Sequence, residues 1–138
     1  MYLIDTNIFL EVMLSRKRKE ECKCLLRMLR DGKIRGIVTD FTIHSIIVLL
    51  DRLRKLDELK AFLLSLTAYK GLYVYTTSIA DEIRAIEIAK KTKLDMDDAI
   101  QYSVALSVKV DSIVSFDRDF DGLDIPRREP KDIIKQPQ

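Results

Sequence analysis

Histidine occurs once in this chain, cysteine twice, glycine four times and proline three times. No apolar run comes near the roughly 20 residues that a membrane span needs. Each scarcity excludes something. Cys22 and Cys24 lie two apart in a helical pattern, so they point to different sides and read as reduced, structural thiols. Together with His44 they lack the ligand spacing of a zinc site. A Ser-His-Asp hydrolase built on that histidine is unsupported, because no Gly-x-Ser-x-Gly elbow is present. Few glycines and prolines among 47% hydrophobic residues leave an ordered globular chain. Its 138 residues suit a single domain over 1–134 with a polar tail, "KQPQ", at 135–138. Met1 leads into a strand-like segment without a signal-peptide pattern, so the expected address is cytoplasmic, with no membrane partner.

Charge, by contrast, is plentiful: 33% of residues carry it, balanced to +2. That net value does not by itself declare a nucleic-acid binder. Its distribution is more informative. "SRKRK" at 15–19 is basic, and Arg27, Arg30, Lys33 and Arg35 come after it. Arg16, Lys17, Arg18 and Lys19, and with them the basic residues of 27–35, are candidates to face phosphates, against the alternative of an ordinary solvated face.

Periodicity places strands at 2–5, 36–40, 72–76 and 112–116. Helices are expected over 7–14, from Lys19 to a stop at Gly32, over 42–54, 57–67 and 79–92, and from Asp95 or Met96 onward. Ser78 followed by Asp81 reads as a capping box. Pro126 and Pro130 interrupt the segment after the last strand, and 130–135 reads as a final helical turn. Strands separated by helices imply right-handed crossovers and a mainly parallel central sheet in a three-layer α/β/α sandwich. Ligands of such sheets bind outside the carboxyl ends of the strands. Asp5 and Asp117 both fall at such ends.

The stretch "SFDRDFDGLD" opens like a calcium loop. The twelfth position from Asp117 is Arg128, where that loop needs a bidentate Glu, and the preceding segment is a strand, not a helix. Asp121-Gly122 is sufficient as a turn. Asp95 and Asp97 fit helix capping and the helix dipole. Asp98, followed by an apolar face, belongs towards the ligand edge. Carboxylates converging there repel unless a cation lies between them, and hard oxygen donors select Mg²⁺ or Mn²⁺.

"LIDTN", "DMDDAI" and "IVSFDRDF", in that order along the whole chain, resemble the motif series of PIN-domain ribonucleases, most closely the small VapC-like toxins of type II toxin–antitoxin pairs. The resemblance implies a PIN-like sandwich and a metal-dependent endoribonuclease using Mg²⁺ or Mn²⁺ on an RNA substrate. It also implies a homodimer and neutralisation by a small antitoxin protein. Carried over by position, it makes Asp5, Asp98 and Asp117 catalytic and metal-binding, with Asp119 joining them at the metal. Asn7, Ser115 and Asp97 become accessory. The family places a Glu in the helix after the second strand, where "TDFTIHSII" puts His44. Asp40, at i−4, is the nearest carboxylate and a partial substitute, and a one-residue shift of register finds no Glu either. His44 in the pocket would favour softer ions; alternatively it is a buried, hydrogen-bonded histidine. The competing expectation is therefore a PIN-like module that binds RNA or a protein without cleaving. The apolar helices 42–54 and 57–67 are dimer or antitoxin surfaces, unless core packing uses them up.

Overall fold

The computed structural model describes residues 1–135. The expected tail thus lies outside the described residues from 136 onward, while Lys135 caps the last helix. Five strands, β1 (Tyr2–Ile4), β2 (Gly36–Thr39), β3 (Leu72–Tyr75), β4 (Ser112–Val114) and β5 (Arg127–Arg128), pair in the order β3-β2-β1-β4-β5. Every pairing is parallel. Seven helices connect or follow them among the described residues: α1 (Thr6–Met13), α2 (Lys19–Arg30), α3 (Asp40–Arg52), α4 (Leu56–Leu66), α5 (Ile79–Lys91), α6 (Met96–Val108) and α7 (Pro130–Ile134). None is long and apolar enough to cross a membrane.

Strand alternation builds the three layers. Ile4, Val38 and Val114 face a core shared with α1, α2, α3, α4 and α7. Their neighbours Leu3, Ile37 and Ile113 face a second core closed by α5 and α6. Strands buried on both faces read as continuous apolar runs, as these do. The strand order reverses direction between β1 and β4, which makes the crevice beyond their carboxyl ends the topological switch point.

Local chemistry sets the helix starts. Asp5, Thr39, Ser78 and Asp95 cap α1, α3, α5 and α6 through their side-chain oxygens. The Ser78–Asp81 capping box is present as expected. Helix α3 begins two residues before the expected Thr42, because Thr39 accepts the Thr42 amide at 3.1 Å. The segment after Pro126, read as broken chain, contributes the edge strand β5. Ile113 donates to the Pro126 carbonyl and Ser115 to that of Arg128, each at 3.0 Å.

Candidate functional site

The end of β1 delivers Asp5 to the switch point, and the turn into α1 fixes it there. Asp5 is 4% exposed, yet both carboxylate oxygens have donors. Oδ1 accepts from the Thr6 amide and from Gln101 Nε2, each at 2.8 Å, and Oδ2 accepts from Ser115 Oγ at 2.7 Å. Burial raises its pKa, opposed by those three hydrogen bonds and assisted by the neighbouring Asp117 charge.

The end of β4 delivers the opposite wall. Ser115 is fully buried and its hydroxyl has two partners, donating to Asp5 and accepting the Asp117 amide at 2.9 Å. Asp117 caps a single 3-10 turn, Arg118–Phe120, by accepting the Asp119 amide at 2.9 Å. The first turn of α6 brings in Asp98, whose amide is held by Asp95 Oδ1 at 3.0 Å. Asp98 is pushed up to about 8, first by burial and then by the charges of Asp5, Asp95 and Asp117. A hydrogen bond to Asp117 adds to that rise. Three of the expected acids thus interact at one place.

Other expected residues fare differently. Asp119 is exposed on the 3-10 turn, and Asp97 is exposed in the first turn of α6, where it complements the helix dipole. Asn7 is exposed at the start of α1 and meets Arg16 only at 3.5 Å. His44 is a correction: it is neither in the pocket nor buried. The cap at Thr39 sets the helical phase so that Thr42, Ile46 and Leu50 point inward. His44, two residues past Thr42 and so about 200° around the helix, is exposed beside Phe41, Ser45, Val48 and Arg52. Asp40 does not substitute either, since its carboxylate accepts the amide (3.0 Å) and the hydroxyl of Thr77.

The basic candidates also divide. Arg16 and Lys17 are exposed in the α1–α2 loop, and Lys19 Nζ reaches Ser15 Oγ at 3.4 Å. Arg18 is occupied: it pairs with Glu129 at 2.8 Å and lies over the Phe116 ring at 4.4 Å. Lys33 and Arg35 precede β2 and therefore stand at the amino edge of the sheet, opposite the acids.

Sequence reading passed over Gln101, Thr42 and Arg127. Thr42 Oγ1 donates to Gln101 Oε1 at 3.4 Å and pairs with Thr6 Oγ1 at 3.0 Å. Arg127 buttresses the β4 wall, donating to the Ser115 carbonyl (3.0 Å), Glu129 (3.1 Å) and Asp121 (2.7 Å). A signal for the first two existed in principle, as polar residues within strongly apolar helical stretches.

The donor set suits a hard cation. It is oxygen-only, and carboxylate repulsion contributes to the rise of Asp98. No group of three or more His, Cys, Asp or Glu side chains among the described residues forms a ready cage. Mg²⁺, which takes one or two carboxylates and keeps its waters, fits such a site better than an ion needing a full protein shell.

A family profile described as PIN domain matches residues 2–126. No curated protein matches the sequence. Among solved structures, a toxin–antitoxin complex from Klebsiella pneumoniae is similar at 19% identity and TM-score 0.71, covering 94% of this chain and 98% of that one. Mycobacterium tuberculosis VapC20, described as a sarcin–ricin-loop-cleaving toxin, is similar at 15% identity and TM-score 0.73, covering 91% and 96%. VapBC2 from Rickettsia felis, bound to a promoter DNA fragment, is similar at 13% identity and TM-score 0.69, covering 93% and 97%. At these identities the likeness is one of fold.

Proposed function

Because this chain belongs to the PIN-domain family, we propose that it is a metal-dependent endoribonuclease, acting as a toxin that a cognate antitoxin neutralises. The observation that carries the proposal is the meeting of Asp5, Asp98 and Asp117 at the switch point of the sheet. Those three would hold the ion, with Asp119 assisting directly or through water. Bound there, Mg²⁺ or Mn²⁺ would supply charge to polarise the phosphate and to activate water.

The chain's own residues do the rest. Ser115 locks the Asp5 and Asp117 walls together. With His44 remote, a carboxylate orients the attacking water and takes its proton. Arg16 and Lys17 would neutralise phosphates along an RNA strand, a role supported by their exposure in the loop that Arg18 ties to Glu129 and Phe116.

Two protein partners fit the remaining surface. Ile79, Ile83 and Ile86 recur at helical spacing on the outer face of α5, with Ile79 72% exposed, and Leu56, Leu63 and Leu64 do the same on α4. Such faces suit a second copy and an antitoxin. The solved structure described as a toxin–antitoxin complex supports the antitoxin part of that reading.

A second reading has its own observation. Thr42 is the inward-facing residue of α3's first turn, and Asp40 is committed to Thr77, so the pocket lacks a fourth acid from that helix. If three acids are too few, the chain is a module that binds RNA without cutting it. Purified protein incubated with labelled RNA in Mg²⁺, Mn²⁺ or EDTA separates the two. Cleavage with either ion and none in EDTA supports the nuclease. Binding without cleavage in every condition supports the module.

A further inference from the structure

The buried run of α6 from Ala99 to Ala105 contains one amide, Gln101, which is 3% exposed. Burying an amide is unfavourable unless its donors and acceptor are used. Here they are used in one direction only. Nε2 donates to Asp5 Oδ1 at 2.8 Å, and Oε1 accepts from Thr42 Oγ1 at 3.4 Å. Thr42 Oγ1 is in turn 3.0 Å from Thr6 Oγ1, in the first turn of the helix that Asp5 caps. The circuit fixes the amide orientation, since a hydroxyl facing Oε1 and a carboxylate facing Nε2 admit one assignment.

We propose that Gln101 is a positioning residue for Asp5, holding Oδ1 while Ser115 holds Oδ2. This rests on the reading of the acidic pocket as a divalent-metal site. Without Gln101, Oδ1 keeps only the adjacent Thr6 amide, and the carboxylate plane loses its lateral support from α6. Gln101 and Asp98 lie three residues apart on one face of α6. One helix therefore contributes an acid to the pocket and aims the acid of another element. The same circuit defines what α3 contributes: a neutral hydroxyl acting through Gln101, in place of a carboxylate. The pocket thereby carries one negative charge fewer without losing its connection to α3. Partners that orient metal-binding carboxylates in this way typically change metal affinity or activity by about 10–100-fold when removed.

The test uses the full chain and three readouts: calorimetric Mn²⁺ titration, kcat and KM on a model RNA, and melting temperature in EDTA. Asp5→Asn is the reference for loss of the site. Gln101→Met, similar in length but without a donor, is expected to weaken Mn²⁺ binding about 10–100-fold. It should lower kcat with little change in KM, and lower the melting temperature in EDTA by no more than Ser115→Ala does. Thr42→Val should weaken Mn²⁺ binding less, and the double variant should bind no more weakly than Gln101→Met alone. Wild-type Mn²⁺ affinity in Gln101→Met, or strictly additive losses in the double variant, overturns the positioning role. If Gln101→Met does not fold, Thr42→Val decides, and unchanged affinity there overturns it equally. A wild-type protein that binds no Mn²⁺ defeats the metal-site reading and this role together. Binding lost in Asp5→Asn but intact in Gln101→Met defeats this role alone.

Discussion

Ser115 Oγ donates to Asp5 Oδ2 at 2.7 Å across 110 residues of sequence, joining the carboxyl ends of the two strands that flank the switch point. The same oxygen accepts the Asp117 amide. Ser115→Ala therefore strips a donor from a buried carboxylate and an acceptor from a backbone N–H. The expected cost is about 1–3 kcal/mol, read as a lower urea midpoint with an unchanged m-value. A midpoint equal to wild type would mean the hydroxyl is not holding the walls.

Asp5 and Asp98 both have folded pKa values above the ordinary carboxylate range, Asp98 at about 8, with burial as the leading cause. A raised folded pKa means the folded state binds protons more readily. The associated stability is complete below about pH 4 and is lost as pH rises through the folded value. Metal-free wild type should lose stability relative to Asp98→Asn from about pH 4 to 8. Added Mn²⁺ should raise the wild-type melting temperature more at pH 8 than at pH 6, since ligand carboxylates must be deprotonated. Melting curves in EDTA and in Mn²⁺ across that range check both signs. A pH-independent difference between the two proteins contradicts the burial of Asp98 among other acids.

Lys17 and Lys33 distinguish the two basic stretches. Lys17 is exposed in the α1–α2 loop, and Lys33 lies before β2 at the amino edge of the sheet. Lys17→Glu should weaken RNA binding and reduce the salt slope by about 1, while Lys33→Glu leaves both unchanged. Filter binding of a short RNA between low and moderate salt reads this directly. Equal effects from the two variants would remove the loop's special role.

His44→Ala should leave cleavage within about twofold of wild type and stability within about 0.5 kcal/mol, as for other exposed positions. A cleavage assay and a urea titration suffice. A large loss of cleavage would place His44 back in the chemistry.

Asp5 and Asp117 were legible in the sequence because each follows a continuous apolar strand, and parallel sheets put their sites at such ends. The Ser78–Asp81 box marked the start of α5 for an equally local reason. His44 was misplaced because helical phase depends on where the helix begins, and the Thr39 cap begins α3 two residues before the expected start. Gln101 escaped notice because one polar residue in a helix ordinarily faces water. Only a helix packed against both α5 and the sheet makes that residue buried. Strand β5 had no pattern to find: Arg127 and Arg128 come after a proline and are held by hydrogen bonds to β4 and by the ion pairs of Arg127.

The most direct measurement is single-turnover cleavage of one labelled RNA in Mn²⁺ by wild type, Asp5→Asn, Asp98→Asn and Asp117→Asn, purified identically and shown to be folded. Three acids acting at one site predict that wild type cleaves and that each substitution alone removes nearly all of the activity. Cleavage that survives all three substitutions contradicts the site.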